Sequence, residues 1–146
     1  MRVSARADYA IRALLELAAD RSCTVLVSSH DVDELERLTD WIGFIRNGRL
    51  VVVERIADLL RRFRVVDVIA SGERALTPID SAGWIAQESS GRTIRFVDTA
   101  HDTPDAAARI AAAYPDTEIR TSGLSLREIF VLLARTHAAT PSVEPR

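Results

Sequence analysis

Apolar and polar positions in the first part of the chain follow two different periods. Apolar residues recur at intervals of three and four between Ser4 and Asp20, which predicts an amphipathic helix capped by Ser4. The run CTVLVSS, residues 23–29, is apolar without alternation and predicts a short strand that is covered on both faces in a parallel sheet. Asp31 and Glu34 then place carboxylates at a helix start, in a variant of the capping box.

The segment WIGFIRNGRLVVV, residues 41–53, carries the strongest hairpin signal in the chain. Asn47 and Gly48 tolerate the positive φ angles of a type I′ turn, and residues with a high β propensity flank them on both sides. The following segment RIADLLRRF, residues 55–63, predicts a short helix.

From about Arg64 onward the pattern changes to short strands separated by two helices. The strands are predicted within residues 63–72, 83–99 and 117–123, the second of them folded back at residues 89–91. One helix is predicted after Thr103 as its cap, with Pro104 at its first position. The last helix is predicted after Ser125, with Glu128 completing a second capping box.

Together these elements predict an α/β fold in two parts. Residues 1–63 form a core segment in the order helix, parallel strand, helix, hairpin and helix. Residues 64–137 form a small, β-rich α+β domain. Residues 138–146 are polar and contain proline, so we expect a disordered tail.

The composition excludes several kinds of chemistry. All 19 basic residues are arginine, so a phosphate-loop lysine and a lysine Schiff base are both excluded within this sequence. A net charge of -2 gives no broad electrostatic reason to expect a nucleic-acid binder. The single cysteine, Cys23, suits a reducing compartment, and no apolar run approaches the roughly 20 residues that span a bilayer. We therefore expect a cytoplasmic protein.

His30 is the residue that local physics singles out for chemistry. Ligands gather at the carboxyl ends of strands in open α/β sheets, and His30 directly follows a predicted strand, beside Ser28 and Ser29. Its imidazole could donate a hydrogen bond to an anionic oxygen or change charge near neutral pH. The alternative is that His30 only caps or packs at the junction between strand and helix.

Two stretches resemble a known family. The segment TVLVSSHDVDELERLTDWIGFIRNGRLV, residues 24–51, resembles the switch-histidine region of ABC transporter ATP-binding subunits. The segment SGLSLREIFVLLART, residues 122–136, resembles the closing helix of exporter ATPases that carry a small C-terminal domain. The resemblance covers Arg21 to His137 in outline, with firm motifs at its two ends.

This resemblance implies a function and a set of partners. His30 would contact the γ-phosphate of ATP and sense bound nucleotide, with Ser29 beside it in the nucleotide site. The intact family couples ATP to export through a membrane permease, so the chain would work at the inner face of the membrane. Other family motifs are missing from this sequence, namely the phosphate loop, the Leu-Ser-Gly-Gly signature and an apolar strand ending in Asp-Glu. We therefore do not expect ATP hydrolysis by this chain alone.

Two explanations fit the missing motifs. The chain is a fragment or partial subunit, which pairs with itself as a homodimer or with a complementing ATPase chain, or it is a non-catalytic regulatory or interaction module. Residues 1–18 also resemble the start of small bacterial winged-helix regulators, several of which bind iron-sulfur clusters. That resemblance implies a DNA-binding regulator, but one cysteine cannot hold a cluster that uses several thiolates.

The remaining candidate residues have structural interpretations. His101 and His137 lack metal-ligand spacing to each other and to Cys23, so no zinc site is expected. Trp41 and Trp84 are predicted to anchor the packing of their two halves. Three arginines near residue 62 are interpreted as a solvated helix end, namely Arg61, Arg62 and Arg64.

Overall fold

The computed structural model of the protein describes Glu16, residues 24–27 and residues 31–136. Within this part of the chain lie four helices and two antiparallel sheets, which confirms the predicted α/β class. The helices are α1 (Val32–Leu38), α2 (Ile56–Arg62), α3 (Ala106–Ala113) and α4 (Leu126–Thr136). The strands are β1 (Trp41–Arg46), β2 (Arg49–Arg55), β3 (Arg64–Ala70), β4 (Trp84–Ser90), β5 (Thr93–Asp98) and β6 (Thr117–Gly123).

The chain divides into two compact units after Leu38. In the first unit, Asp31 caps α1 as predicted, because its Oδ1 accepts the backbone N–H of Glu34 at 3.4 Å. The predicted division between residues 63 and 64, and the predicted tail at residues 138–146, stay predictions.

The predicted buried parallel strand is wrong where it can be checked. Residues 24–27 have no strand conformation, and Leu26 is 97% exposed. A strand is stable only when a neighbouring strand accepts and donates its backbone hydrogen bonds. In the part of the chain that the structure describes, no strand pairs with these four residues. The apolar sequence alone is therefore insufficient to form the strand.

The second unit begins with the predicted hairpin. Strands β1 and β2 pair antiparallel through a two-residue turn, in which Asn47 has φ 49° and Gly48 has φ 73°. These positive angles are the type I′ values that Asn-Gly favours. A bulge shifts the register between Phe44 and Ile45. The helix α2 follows directly and begins at Ile56, whose backbone N–H donates to the carbonyl of Asp40 at 2.9 Å.

The larger sheet has the strand order β4-β5-β3-β6, and every neighbouring pair is antiparallel. The alternation of β3 places Val66 and Val68 in the core, where Ile94 and Phe96 of β5 join them. Helix α3 packs Ile110 against this cluster, and Trp84 stacks on Tyr114 with ring centroids 5.9 Å apart. The expectation that Trp84 anchors packing is confirmed.

The two helices of this part begin differently. Ser125 and Glu128 form the predicted capping box, since Glu128 Oε2 accepts the backbone N–H and the hydroxyl of Ser125 at 2.7 Å each. The predicted Thr103 cap is wrong, because α3 begins at Ala106 and the Thr103 hydroxyl donates to the Ala100 carbonyl at 2.9 Å. Residues 99–105 form turns before the helix, so its first residue lies two positions later than the sequence suggests.

Candidate functional site

The predicted nucleotide contacts, His30 and Ser29, lie outside the residues that the structure describes. Their neighbour Asp31 is described, and its carboxylate is engaged in capping α1. Asp33 and Glu34 stand in the first turn of that helix, where carboxylates favour the positive end of the helix dipole. The role of His30 at a γ-phosphate therefore stays a prediction, while the capping role of Asp31 is confirmed.

One face of the hairpin carries a row of exposed apolar side chains. Four residues share this face by register, and each is more than half exposed: Trp41 (57%), Ile45 (66%), Leu50 (60%) and Val53 (56%). We call these four residues the hairpin face. The expectation that Trp41 anchors packing is wrong, because its ring lies at the surface with the guanidinium of Arg55 5.7 Å from the ring centroid. Grouped exposed apolar side chains of this kind are typical of interaction surfaces.

The opposite face of the hairpin packs against the rest of its unit. Phe44 is buried, and its ring meets that of Phe130 edge to face with centroids 4.7 Å apart. Arg62 donates to both carboxylate oxygens of Glu54, with the shortest distance 2.6 Å, and to the Thr99 carbonyl at 2.9 Å. The interpretation of Arg62 as part of a solvated helix end is wrong, because it is half-buried and paired. These contacts hold the hairpin with its apolar face outward.

A buried carboxylate at the end of β5 is the one charged side chain in the core of the described residues. Asp98 accepts two hydrogen bonds from Arg109 at 2.9 and 3.0 Å, and one from the backbone N–H of Ala100 at 3.1 Å. The Nδ1 atom of His101 lies 3.3 Å from the same carboxylate. The sequence interpretation missed this cluster. The available signal was an aspartate that closes the buried strand TIRFVD.

A cleft of about 260 Å³ opens at the far end of the larger sheet. Its walls are the segment after β3 and the turn between α3 and β6, including Arg74, Leu76 and Asp116. The Tyr114 hydroxyl accepts the backbone N–H of Ile79 at 3.1 Å and ties the two walls together. The cleft is separate from the Asp98 cluster, since no member of that cluster lines it.

The composition excludes one motif of ABC ATP-binding proteins from this sequence. A phosphate-binding loop of the ABC type needs a lysine, and the sequence contains none. Among the described residues, no group of three or more His, Cys, Asp or Glu could hold a metal ion. None of the helices in the described ranges is both long and apolar enough to cross a membrane.

Comparison with known proteins gives a weak likeness to an ABC transporter protein. No protein-family model matches the chain. A stretch of 75 residues is 25% identical to an uncharacterized ABC transporter ATP-binding protein from Methanocaldococcus jannaschii. This stretch covers 50% of the present chain and 29% of that protein, so the match spans less than a third of the relative. The likeness supports an ABC-related chain at a coarse level, and nothing supports the winged-helix resemblance.

Proposed function

We propose that this chain is a partial ABC-type ATP-binding subunit that binds nucleotide weakly by itself and couples ATP to export only when the missing motifs are supplied by another polypeptide segment. The likeness to an ABC transporter ATP-binding protein supports the family relationship over half of the chain. In this proposal the assembled protein works in the cytoplasm against a membrane permease and couples ATP to export. The present chain supplies the switch-histidine segment and the C-terminal domain.

The observation that carries the proposal is the exposed hairpin face. Four large apolar side chains, each more than half exposed, lie together on one side of a two-stranded sheet. Isolated exposed apolar residues are common, but a grouped set in a small protein marks a surface that another surface covers. A two-stranded sheet is also marginal by itself and gains stability from packing on a further layer. An ATP-binding core that carries the phosphate loop is the cover that we propose.

In the assembled site, His30 would act as a sensor and Ser29 would lie beside it. A neutral imidazole can donate one hydrogen bond to a phosphate oxygen, and a protonated one adds a positive charge. Such a donor stabilises the terminal phosphate of ATP, which ADP lacks. His30 would therefore contribute to the preference for ATP over ADP, while magnesium and most phosphate contacts come from the missing motifs.

The difference between ATP and ADP binding tests this role. Nuclear magnetic resonance titration of the full chain detects weak binding, with dissociation constants up to about 1 mM. We expect ATP to bind at least threefold more tightly than ADP, and we expect His30→Ala to remove the difference. His137→Ala is the matched control and should keep it. Equal affinity for the two nucleotides, or a difference that survives in His30→Ala, would contradict the sensor role.

The second candidate is a non-catalytic interaction module, which the hairpin face also favours. The two candidates differ in the same titration. If neither nucleotide shifts any resonance, the partial-subunit proposal fails for this chain and the interaction module remains. Binding of a partner would then be followed by the fluorescence of Trp41, since cover of an exposed indole shifts its emission to shorter wavelength.

A further inference from the structure

The strand β6 forms an open edge of the larger sheet. In the order β4-β5-β3-β6, the two edge strands of the described sheet are β4 and β6. Strand β4 carries a bulge between Ile85 and Glu88, with Ala86 at φ 52°, and bulges protect an edge by twisting it away from flat pairing. Strand β6 pairs with β3 over all seven residues without a register shift. It has no proline and no bulge, and its two charged side chains have opposite signs, so they do not prevent pairing with a second copy of the same strand.

The free backbone groups of β6 can be assigned from its neighbour. Ala70 of β3 donates its N–H to Arg92, on the side away from β6. Hydrogen-bonding directions alternate along a strand, so Ile69, Asp67 and Val65 direct their backbone groups toward β6. Their partners in register are Glu118, Arg120 and Ser122. The residues between these partners, Thr117, Ile119 and Thr121, therefore direct their N–H and C=O groups outward from the sheet.

Charged side chains cross the sheet in a row of alternating sign that ends at this edge. Glu88 pairs in register with Arg95, Arg95 with Asp67, and Asp67 with Arg120. Arg95 and Asp67 are also joined by two hydrogen bonds, at 2.7 and 3.1 Å. Opposite charges at directly facing positions stabilise neighbouring strands. The row runs negative, positive, negative, positive. Within one chain Arg120 Nε donates to Glu118 Oε1 on the same strand at 2.7 Å, and a carboxylate beyond Arg120 would add a second partner for its guanidinium.

We propose that two copies of this chain pair along β6 in antiparallel orientation, with Ile119 facing Ile119 of the second copy. In this register Glu118 faces Arg120 of the second copy, and Arg120 faces Glu118 of the second copy. Each charge row thereby continues across the interface. The outward groups of Thr117, Ile119 and Thr121 form about six backbone hydrogen bonds with the second copy. The pairing is isologous, as a two-fold axis requires.

Other registers are less favourable. A slip of one residue would place the outward-directed backbone groups of one copy opposite residues whose backbone groups point into the sheet of the other copy. It would also exchange the two faces of the sheet. A slip of two residues would place Arg120 opposite Arg120 of the second copy, or Glu118 opposite Glu118 of the second copy. Like charges that face each other directly are destabilising. Only the register centred on Ile119 pairs both charges with their opposites.

The expected dimer is weak, and it is independent of nucleotide binding. A contact along one strand buries less surface than the roughly 1,200 Å² of a stable interface. Association should therefore appear at protein concentrations of about 10 to 1,000 μM. The hairpin face is not used, so the proposal stands or fails separately from the partial-subunit function.

A charge-reversal experiment tests both the interface and its register. Glu118→Arg places two arginines opposite two arginines of the second copy, and Arg120→Glu places carboxylates opposite carboxylates. In sedimentation equilibrium of the full chain, each variant should dimerise at least about tenfold more weakly than the wild type. A mixture of the two variants makes both facing pairs complementary and should restore association. The double variant Glu118→Arg with Arg120→Glu should restore it as well.

Controls separate this interface from general charge effects. Glu73→Arg in the exposed segment after β3 and Arg49→Glu at the hairpin turn make the same changes of charge outside the charge row and should leave the dissociation constant within about twofold. The side chains of Arg120 and Glu118 are 66% and 56% exposed, so both variants should fold, which far-ultraviolet circular dichroism checks. A wild-type monomer throughout the concentration range would overturn the proposal. Single variants that still dimerise, or a mixture that does not, would overturn the register.

Discussion

At the scale of single residues, Asp98 is the side chain whose surroundings most constrain the C-terminal unit. It is fully buried and receives hydrogen bonds from Arg109 and from the backbone of Ala100, with His101 beside it. A buried carboxylate without partners would be costly, so these contacts offset its removal from water. They also hold the turn that leads from β5 to α3.

Replacing Asp98 should therefore be strongly destabilising. Asp98→Ala leaves the half-buried guanidinium of Arg109 without its carboxylate and frees the turn, so we expect the free energy of unfolding to fall by about 3 kcal/mol. Urea denaturation followed by circular dichroism measures this change. Asp102→Ala, at an exposed position four residues along, is the matched control and should cost less than about 0.5 kcal/mol. Equal losses of unfolding free energy in the two variants would show that the contacts of Asp98 with Arg109 and Ala100 do not stabilise the fold more than an exposed aspartate does.

At the scale of elements, the capping box of α4 links helix stability to pH. The backbone N–H and hydroxyl of Ser125 donate to Glu128, and the backbone bond in particular lowers the pKa of that carboxyl in the folded protein. Because the folded pKa is the lower one, Glu128 stabilises the fold above its unfolded pKa of about 4.3. The contribution is lost as the pH falls through the folded value.

This linkage gives a prediction with a defined sign. Glu128→Gln should lower the free energy of unfolding at pH 7 by about 0.5 kcal/mol, because it removes the carboxylate of the capping box. The loss is small because the carboxylate is exposed and its charge is screened by solvent. As the pH falls through the lowered folded pKa, the carboxyl becomes protonated in both states, and the difference between variant and wild type should shrink. Urea midpoints at pH 7 and pH 3 measure the effect. A difference that grows at low pH would contradict the assignment.

Local sequence signals predicted the elements whose causes are local. The Asn47-Gly48 turn and the Ser125 box each depend on residues within a few positions, and both are present as expected. The prediction of Thr103 as a helix cap was wrong because the residue types that cap helices also occur in turns. The Thr103 hydroxyl donates its hydrogen bond to the Ala100 carbonyl in a turn. The prediction of a strand at residues 24–27 was wrong for a different reason. A strand depends on partners distant in sequence, which periodicity does not reveal.

The candidate site shows the same limit. The sequence indicated His30 and Ser29 as candidate site residues, because they follow an apolar run. It gave no indication that Trp41 lies at the surface. Its exposure results from the register of the hairpin, which fixes the side of the sheet on which it stands. Similarly, Asp98 and Arg109 meet because a turn brings β5 and α3 together, which no short motif encodes.

At the scale of the whole molecule, the hairpin and the larger sheet belong to the same compact unit, which begins at Thr39. Three contacts join the two parts across the predicted division at residues 63 and 64. Phe44 packs on Phe130, Arg62 donates to the Thr99 carbonyl, and the backbone N–H of His101 donates to the Arg62 carbonyl at 2.9 Å. Such contacts favour cooperative unfolding of residues 39–136.

Cooperativity across this division can be measured with one tryptophan. In a Trp41→Phe background, Trp84 is the single indole of the chain and reports on the buried core of the larger sheet. We expect Phe44→Ala in the hairpin to lower the stability reported by Trp84 by about 3 kcal/mol, because it removes a buried ring and its contact with Phe130. Val53→Ala on the exposed hairpin face should change it by less than about 0.5 kcal/mol. If Phe44→Ala left the Trp84 transition unchanged, the hairpin would unfold separately, as a domain boundary between residues 63 and 64 requires.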